Sequence, residues 1–462
     1  MLEGLKISKV MFSSAKKTEL FRLEAEFYTA KSFNSANAYL GAEIIAFSQY
    51  GTSGELNEEG RGYPVLRLNE FCSHFITAPS KFCHLLDEES YQSLRLKKDD
   101  VLICRTNGNP RLVGKSAIVP KDYDYAYASY LFKIIPKQEL ITSATLVAYL
   151  NSKFGRLEIE KFSMASNQVN FSPAKFREMR IPKFGRFLMG QVDKHTFNAF
   201  ELLEKAKKLY SQAETLLLDT LDLANFSPSN ESVNIKSFKE SFAATERMDA
   251  EYYQPKFDEL EAKIAETHEL VSLGSLLMLN QRGTQPDYAD EGLPVINSKH
   301  VREGEVVLSD NRVANLPDSE KSLFIQKNDV LINGTGVGTI GRSAPYLHEH
   351  NAIPDNHVTI LRTDKLNPIF LSVYLNSIAG KYQVDKYFKG SSGQIELYPK
   401  DIDCFYVPLV DEAIQTEIAA LVQQSFTLKA ESERLLDVAK RAVEIAIEQD
   451  EPAALAYIEA YS

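Results

Sequence analysis

Cysteine is scarce in this chain. Cys72, Cys83, Cys104 and Cys404 are the full set, too few and too scattered for a disulfide framework, which fits a reducing compartment. Cys72, His74, Cys83 and His84 do combine soft and imidazole ligands. Cys-x-His is not a usual chelating spacing, however, and the later part of the chain has no counterpart, so ordinary partly buried thiols and no metal are expected. Long apolar runs are missing too. No window approaches ~18 uninterrupted apolar residues, and Met1-Leu2-Glu3-Gly4-Leu5-Lys6 has no signal-peptide core. A cytoplasmic protein that does not span a membrane is expected.

Catalytic signatures are a third absence. Gly108 and Gly114-Lys115-Ser116 follow an apolar run, but five residues separate the two glycines, where a phosphate-binding loop has about four. The continuation, Ala117-Ile118-Val119-Pro120, reads as a strand closed by proline and not as the helix whose N-terminus would hold phosphate. Gly336-Val337-Gly338-Thr339-Ile340-Gly341 spells a dinucleotide-type glycine pattern, yet Arg342-Ser343-Ala344-Pro345 cannot open the required helix, so a tight hairpin displaying polar residues is the better account. Asn367-Pro368-Ile369-Phe370 lacks the second proline of an amino-methyltransferase motif. The acids of Pro317-Asp318-Ser319-Glu320-Lys321 lie too close together to come from separate strands around a metal. These failures weaken one rival reading, a nucleotide-dependent enzyme using the glycine-rich loops. A scaffold that binds proteins and not DNA is the other rival.

A positive net charge is also lacking. The chain carries −11 at pH 7, which argues at first sight against nucleic acid, since counterion release needs lysine and arginine near phosphates. Distribution decides more than the total. Residues 91–185 hold 16 Lys+Arg against 8 Asp+Glu, whereas 411–462 hold 4 against 11. Acidity gathers in segments that read as helices, and one globular unit is basic. A length of 462 residues, with 26 Phe and 22 Tyr, suits two large folded domains plus connecting elements.

What the chain does contain is nearly the same message twice. Arg22-Leu23-Glu24-Ala25-Glu26-Phe27-Tyr28 returns as Arg247-Met248-Asp249-Ala250-Glu251-Tyr252-Tyr253, and Leu150-Asn151-Ser152 with Gly155 returns as Leu375-Asn376-Ser377 with Gly380. Between these anchors, Asp100-Val101-Leu102-Ile103 and Thr106 match Asp329-Val330-Leu331-Ile332 and Thr335, and Gly114-Lys115-Ser116 matches Gly341-Arg342-Ser343. The drifting offset is what loop insertions produce inside two copies of one fold. Two like surfaces related by a pseudo-twofold axis imply a target that also has two halves.

Each copy reads as mixed α+β: short β-rich segments broken by Gly, Pro and Asn form a curled, loop-decorated sheet, followed by one short helix around 144–154 or 369–378. A long amphipathic helix then closes each copy. Its leucines fall seven apart, at Leu202, Leu209, Leu216 and Leu223 and again at Leu421, Leu428 and Leu435. That spacing keeps one seam facing a partner helix, so the two helices are expected to pack antiparallel as a coiled coil that separates and braces two homologous domains. The expected boundaries are 1–185 for the first domain with its N-terminal helix, 186–225 for its spacer helix, and 226–246 for the linker and start of the second copy. The second domain then covers 247–410, and its spacer helix and tail cover 411–462.

The loops are rich in groups that read base edges or grip phosphate: Arg for guanine, Asn or Gln for adenine, Thr for the thymine methyl. In the first copy these are Arg105, Thr106, Asn107, Asn109, Arg111, Lys115, Ser166, Asn167 and Gln168. In the second they are Asn297, Lys299, Asn333, Thr335, Arg342, Ser391, Ser392 and Gln394. Clusters of Asn, Gly and Ser are commonly solvated turns, and joint recurrence in both copies is what raises these loops above that reading.

Taken together, the duplicated Arg-x-(Glu/Asp)-Ala-Glu-aromatic-Tyr entries, the Asp-Val-Leu-Ile…Thr…Gly-(Lys/Arg)-Ser segments, Gly283-Thr284 with Gly292-Leu293-Pro294-Val295-Ile296-Asn297, Gly390-Ser391-Ser392-Gly393-Gln394 with Pro408, and a leucine-heptad helix closing each half resemble the specificity (S) subunit of type I restriction–modification systems. The resemblance spans essentially the whole chain; its motifs are individually weak, and their order and duplication carry it. It implies two target-recognition domains, each reading one half of an interrupted sequence in double-stranded DNA, with helices that set the gap. It also implies docking of two methylation (M) subunits and, as an optional addition, two restriction (R) subunits. No cofactor belongs to this chain on that reading: S-adenosylmethionine, ATP and Mg serve the partner subunits, and the S subunit carries no reaction. Two departures stand out. The first copy has Ala165-Ser166-Asn167-Gln168 where the second has the glycine-flanked loop, and the stretch 321–410 of the second domain is near neutral where the first domain is basic.

Overall fold

Val101-Leu102-Ile103-Cys104 is apolar at every position because its strand is covered on both faces, and all four residues are buried. In the computed structural model, which describes residues 27–28, 37–163, 169–229, 231, 233–315, 323–391 and 393–461, this run is β2 of a four-stranded antiparallel sheet. The sheet joins β1 (Ile45–Tyr50), β2 (Val101–Cys104), β3 (Ser116–Ile118) and β4 (Leu131–Pro136) in the order β1-β4-β2-β3. Side chains alternate across it. Val101, Ile103, Ile118, Phe132 and Ile134 join one core with helices α1 (Ser143–Asn151) and α2 (Lys153–Ser163). Leu102, Cys104, Ala117 and Leu131 join another with the short strands Tyr63–Leu66 and Ala126–Tyr127. Helix α3 (Arg186–Thr220) follows.

The second copy repeats this order and register. Strands β5 (Leu279–Arg282), β6 (Val330–Asn333), β7 (Ser343–Pro345) and β8 (Val358–Arg362) form a sheet in the order β5-β8-β6-β7. Helices α4 (Pro368–Asn376) and α5 (Ile378–Tyr387) lie on one face, where Val330, Ile332 and Leu361 are buried, and Leu331, Ala344, Val358 and Ile360 fill the other. A parallel pair of short strands recurs as well, Val65 with Ala126 and Val295 with Ile353. Helices α6 (Glu412–Glu448) and α7 (Glu451–Tyr461) end the chain. The fold is thus two like α+β domains with open sheets, accompanied by long helices. The chain divides into two compact units, Met1–Lys205 with Leu428–Ser462, and Ala206–Thr427, so each long helix contributes to both.

The expectation of one short helix around 144–154 and around 369–378 is corrected: two consecutive helices stand at each place, α1 with α2 and α4 with α5. The break is chemical. Ser152 Oγ donates to Tyr149 O at 2.6 Å and accepts from Gly155 N at 3.2 Å. Ser377 does the same with Tyr374 O at 2.6 Å and Ala379 N at 3.2 Å. A serine that ends one helix and caps the next starts a new helix at once. Gly155 and Gly380 follow because a Cβ there would collide with the carbonyls of Tyr149 and Leu375.

The seam of the long helices lies beside the leucine rows read from the sequence. In α3 a heptad row of buried positions runs through Val192, Ala199, Ala206 and Ala213, with Leu203 and Leu217 buried beside it. Leu202, Leu209 and Leu216 are half-buried next to them, and Leu223 is buried past the helix end. In α6 the buried row is Ile418, Ser425, Ser432 and Ala439, with Leu435 beside it and Leu421 and Leu428 half-buried. Small residues let the backbones come close enough for Ser432 Oγ to donate to Ala199 O in the first unit and Ser425 Oγ to Ala206 O in the second, each at 2.7 Å. Within the first unit Gly185 N donates to Glu451 Oε1 at 2.6 Å and Ala199 O accepts from Ser432 Oγ, so residue numbers fall on one side as they rise on the other, which is antiparallel pairing.

Candidate nucleic-acid interface

At one end of each sheet three chain segments are sewn together in the same way. The N–H of Arg105 donates to Tyr130 O and its carbonyl accepts from Phe171 N; the N–H of Gly334 donates to His357 O and its carbonyl accepts from Leu397 N, all at 2.8 Å. Thr106 pairs with Asn170, and Thr335 with Glu396. The loop after the central strand therefore lies against the late loop, and the two groups of display residues meet.

In the first domain Arg105, Thr106, Asn107, Asn109 and Arg111 all belong to this loop, with Asn109 and Arg111 exposed. Asn107 Oδ1 accepts from Asn109 N at 2.8 Å and Asn109 Oδ1 accepts from Arg111 N at 3.0 Å, so both asparagine carbonyls build the turn. Lys115 is half-buried where β3 begins. Ser166, Asn167 and Gln168 lie outside the described residues. Burial pushes the thiol of Cys104, at the root of the loop, up to about 11, so it stays protonated near neutral pH and is no nucleophile.

In the second domain Thr335 and Gln394 line one cavity of about 510 Å³ with His357, Lys389, Glu396 and Tyr398. Thr335 Oγ1 and His357 Nδ1 share a hydrogen bond of 2.7 Å. Gln394 sits on the hairpin that pairs Lys389–Ser391 with Gln394–Glu396, turned by Gly393 at φ +87°. Ser391 is on its first strand, and Ser392 lies outside the described residues. Asn333 is not displayed: it is fully buried, and its Nδ2 donates to Ser298 O at 3.1 Å and Val301 O at 3.3 Å. It pins the turn that carries Asn297, whose Oδ1 accepts from Lys299 N, and exposed Lys299, whose Nζ donates to Asp310 O.

Arg342 belongs to a different hollow of about 400 Å³, walled by Gly338, Ile340, Lys381, Val384 and Asp385. The first domain has its counterpart, also about 400 Å³, walled by Arg111, Val113, Arg156, Ile159 and Glu160. The glycine-rich loop beside it, Gly336 to Gly341, is a turn with positive φ at Gly336, Gly338 and Gly341, and strand β7 follows it. No helix N-terminus is available there for a phosphate. Among the described residues no three His, Cys, Asp or Glu side chains are placed to hold a metal, and no helix is long and apolar enough to cross a membrane.

Sequence reasoning missed Arg282, His357, Lys389 and Tyr398. Arg282 stands immediately before the quoted Gly283-Thr284, which was the available signal; the others come from loops with no recurring letters.

A duplicated, loop-bearing α+β domain joined to heptad helices defines a class of protein in which two like surfaces are presented. Comparison with known proteins narrows the class. The chain is similar to the type I restriction enzyme EcoKI specificity subunit of Escherichia coli strain K12, with 23% identity over 353 residues, 72% of this chain and 69% of the relative. It is also similar to the StySPI specificity subunit of Salmonella potsdam, with 20% identity over 351 residues and the same shares. Among solved structures, a type I restriction–modification S subunit from M. genitalium matches with 12% identity, covering 93% of this chain and 98% of that one, at a TM-score of 0.37. The HsdS subunit from Thermoanaerobacter tengcongensis matches with 14% identity, 90% and 97% coverage and a TM-score of 0.30. No family model matches the chain. The resemblance to type I specificity subunits read from the residues stands, since the relatives found by sequence carry that name.

Proposed function

We propose that this chain is the DNA sequence-specificity subunit of a type I restriction–modification complex. Each domain, with boundaries near 1–185 and 247–410, reads one half of a bipartite site in double-stranded DNA, and the helices of 186–225 and 411–462 hold the readers apart. The chain is noncatalytic. It scaffolds two methylation subunits, which use S-adenosylmethionine, and in the larger complex two restriction subunits, which use ATP and Mg; such a complex works in the cytoplasm. One observation carries the reading: the same three-segment loop junction is built twice, around Arg105 and around Gly334, in a chain whose sequence relatives are specificity subunits. The basic balance of 91–185 supports phosphate contact by the first domain, and the second domain, with 16 Lys+Arg against 23 Asp+Glu over 247–410, calls for phosphate contacts from the methylation subunits.

Methylome sequencing of a host with and without this chain tests it. A modified motif of two fixed halves around an unspecified gap, present only with the chain, is expected. Identical methylation in both strains would overturn the proposal.

A further inference from the structure

Strand register equates the two domains position by position. Phe132 pairs with Tyr50 on one side and Ile103 on the other, as Thr359 pairs with Arg282 and Ile332. Tyr50 and Arg282 therefore hold one position on the edge strand. The next residues, Gly51 and Gly283, are both packed against the backbone of the parallel short strand's end, Tyr127 and Pro354. Arg105 and Gly334 hold the matching position after the central strand, with the hydrogen bonds given above.

The arginine has changed places between these two positions. In the first domain it is at 105, and its guanidinium lies 4.8 Å above the ring of Tyr50. In the second it is at 282, where Nη2 donates to Gly334 O at 3.1 Å and Leu397 O at 2.6 Å, and the guanidinium lies 5.3 Å above the ring of Tyr398. A Cβ added to Gly334 would run into Arg282: the three nearest atoms are its Nη2, Cζ and Nε. Gly334 is not among the glycines with positive φ, so its backbone accepts a side chain, and the atoms nearest that space belong to Arg282. The neighbouring buried aspartates show the same habit. Asp100 is paired by Lys133 at 3.1 Å and Asp329 by Arg362 at 2.7 Å, although Lys133 and Arg362 occupy different register positions.

We infer that one guanidinium at this corner positions the recognition loops in both domains, and that 50 with 105 and 282 with 334 form a reciprocal pair in which either member supplies the arginine. The inference rests on the DNA-reading proposal. Arg282 bonds the carbonyls of Gly334 and Leu397, one residue from Thr335 and three from Gln394, so it fixes the spacing of the two loops that face the cavity. Both bonds leave one nitrogen, Nη2, while the planar guanidinium behind it lies over Tyr398; an ammonium lacks the flat face that holds this placement. Arg282 is a positioning residue, acting through Thr335 and Gln394.

The test uses the full chain co-expressed with its methylation subunits, with methylated sites mapped genome-wide and each half-site scored separately. Arg282→Tyr is expected to relax discrimination by about tenfold in one half-site and leave the other unchanged. Arg282→Tyr combined with Gly334→Arg, which rebuilds the first domain's arrangement, is expected to restore it. Unchanged half-sites in the single variant, or no recovery in the double, overturn the inference. So does an equal loss at both half-sites with a lowered Tm, the mark of a merely structural role. If Arg282→Tyr fails to fold, Arg282→Lys, which keeps the charge and loses the planar guanidinium over Tyr398, is expected to relax the same half-site, and no relaxation overturns the inference. Absence of a bipartite motif with the unaltered chain removes the DNA-reading proposal itself, without any variant.

Discussion

Asn151 and Ser116 exchange two hydrogen bonds, Ser116 N to Asn151 Oδ1 at 3.2 Å and Asn151 Nδ2 to Ser116 O at 2.9 Å. Asn376 and Ser343 repeat the exchange at 3.0 and 2.8 Å. A side-chain amide here stands in for a neighbouring strand, satisfying the outer backbone groups of β3 and β7 from the end of a helix. Asn151→Ala takes these partners from the Ser116 N–H and C=O, and a loss of about 2–3 kcal/mol is expected in urea denaturation. Asn376→Ala strips only the Ser343 N–H, because Ser343 O still accepts from Gly304 N and Ser372 Oγ, and a smaller loss of about 1–2 kcal/mol is expected. A loss below about 0.5 kcal/mol, the scale of an ordinary surface change, would contradict that role.

Helix-start glycines make a sharper comparison. Gly155→Ala and Gly380→Ala drive a methyl into the backbone of the preceding helix, at Tyr149 O and Leu375 O, where nothing can yield without opening the α1–α2 or α4–α5 junction. Gly108→Ala meets nothing within 4 Å. The first two are expected to lower Tm by several degrees, about 1 kcal/mol or more each, and Gly108→Ala to leave it unmoved; equal effects at all three sites would count against the packing account.

Ser425 and Ser432 carry the register of the long helices. Both are buried, and each donates to a carbonyl on the opposing helix. A seam of alanine and serine offers little shape to stop sliding, so a directional bond at each heptad matters more than it would between leucines. Ser425→Ala and Ser432→Ala should each cost about 1 kcal/mol. Restoration by Ser→Thr, which keeps the hydroxyl, is not expected, because a γ-methyl does not fit between backbones this close.

Two buried histidines give the chain an acid limit. Burial lowers His300 from 6.5 to about 4, with Lys299 adding to the effect, and lowers His74 to about 4, with Lys440 adding there. The unfolded chain binds these protons near pH 6.5 and the folded chain only near 4, so unfolding takes up protons between those values and stability falls as pH falls through that window. Stability from this source is complete above pH 6.5. His300 Nδ1 accepts from Asn297 N at 3.0 Å, so exchange of the Asn297 amide should accelerate as pH drops from 6.5 to 4 beyond the intrinsic trend. His300→Gln, which does not titrate, should flatten the response.

Much of this architecture was legible in the sequence because duplication supplies its own control. Val101–Cys104 and Val330–Asn333 are strands of identical register, and the Leu-Asn-Ser run proved to be one device: a core leucine, an asparagine bonded to the sheet and a serine that restarts the helix. The buried seam runs three residues before the leucine rows because leucine marks hydrophobicity, whereas close helix approach selects alanine and serine. Asn333 looked like a displayed amide, and burial of the strand end turned it inward. Arg282 carried only an indirect signal, the Gly-Thr that follows it and follows Tyr50 as well. Its equivalent in the other copy is Tyr50, and an interaction that keeps its place while changing its donor leaves no repeated letter.

The central claim is that two like readers are held at a fixed spacing by the paired helices, and adding one heptad to each tests it most directly. Seven residues inserted between Ala199 and Ala206 and seven between Ser425 and Ser432 preserve the seam while lengthening it by about 10 Å, or roughly three base pairs of DNA. Mapping of modified sites should return the same two half-sites with a gap about three base pairs longer. Altered half-sites with the original gap would contradict the account.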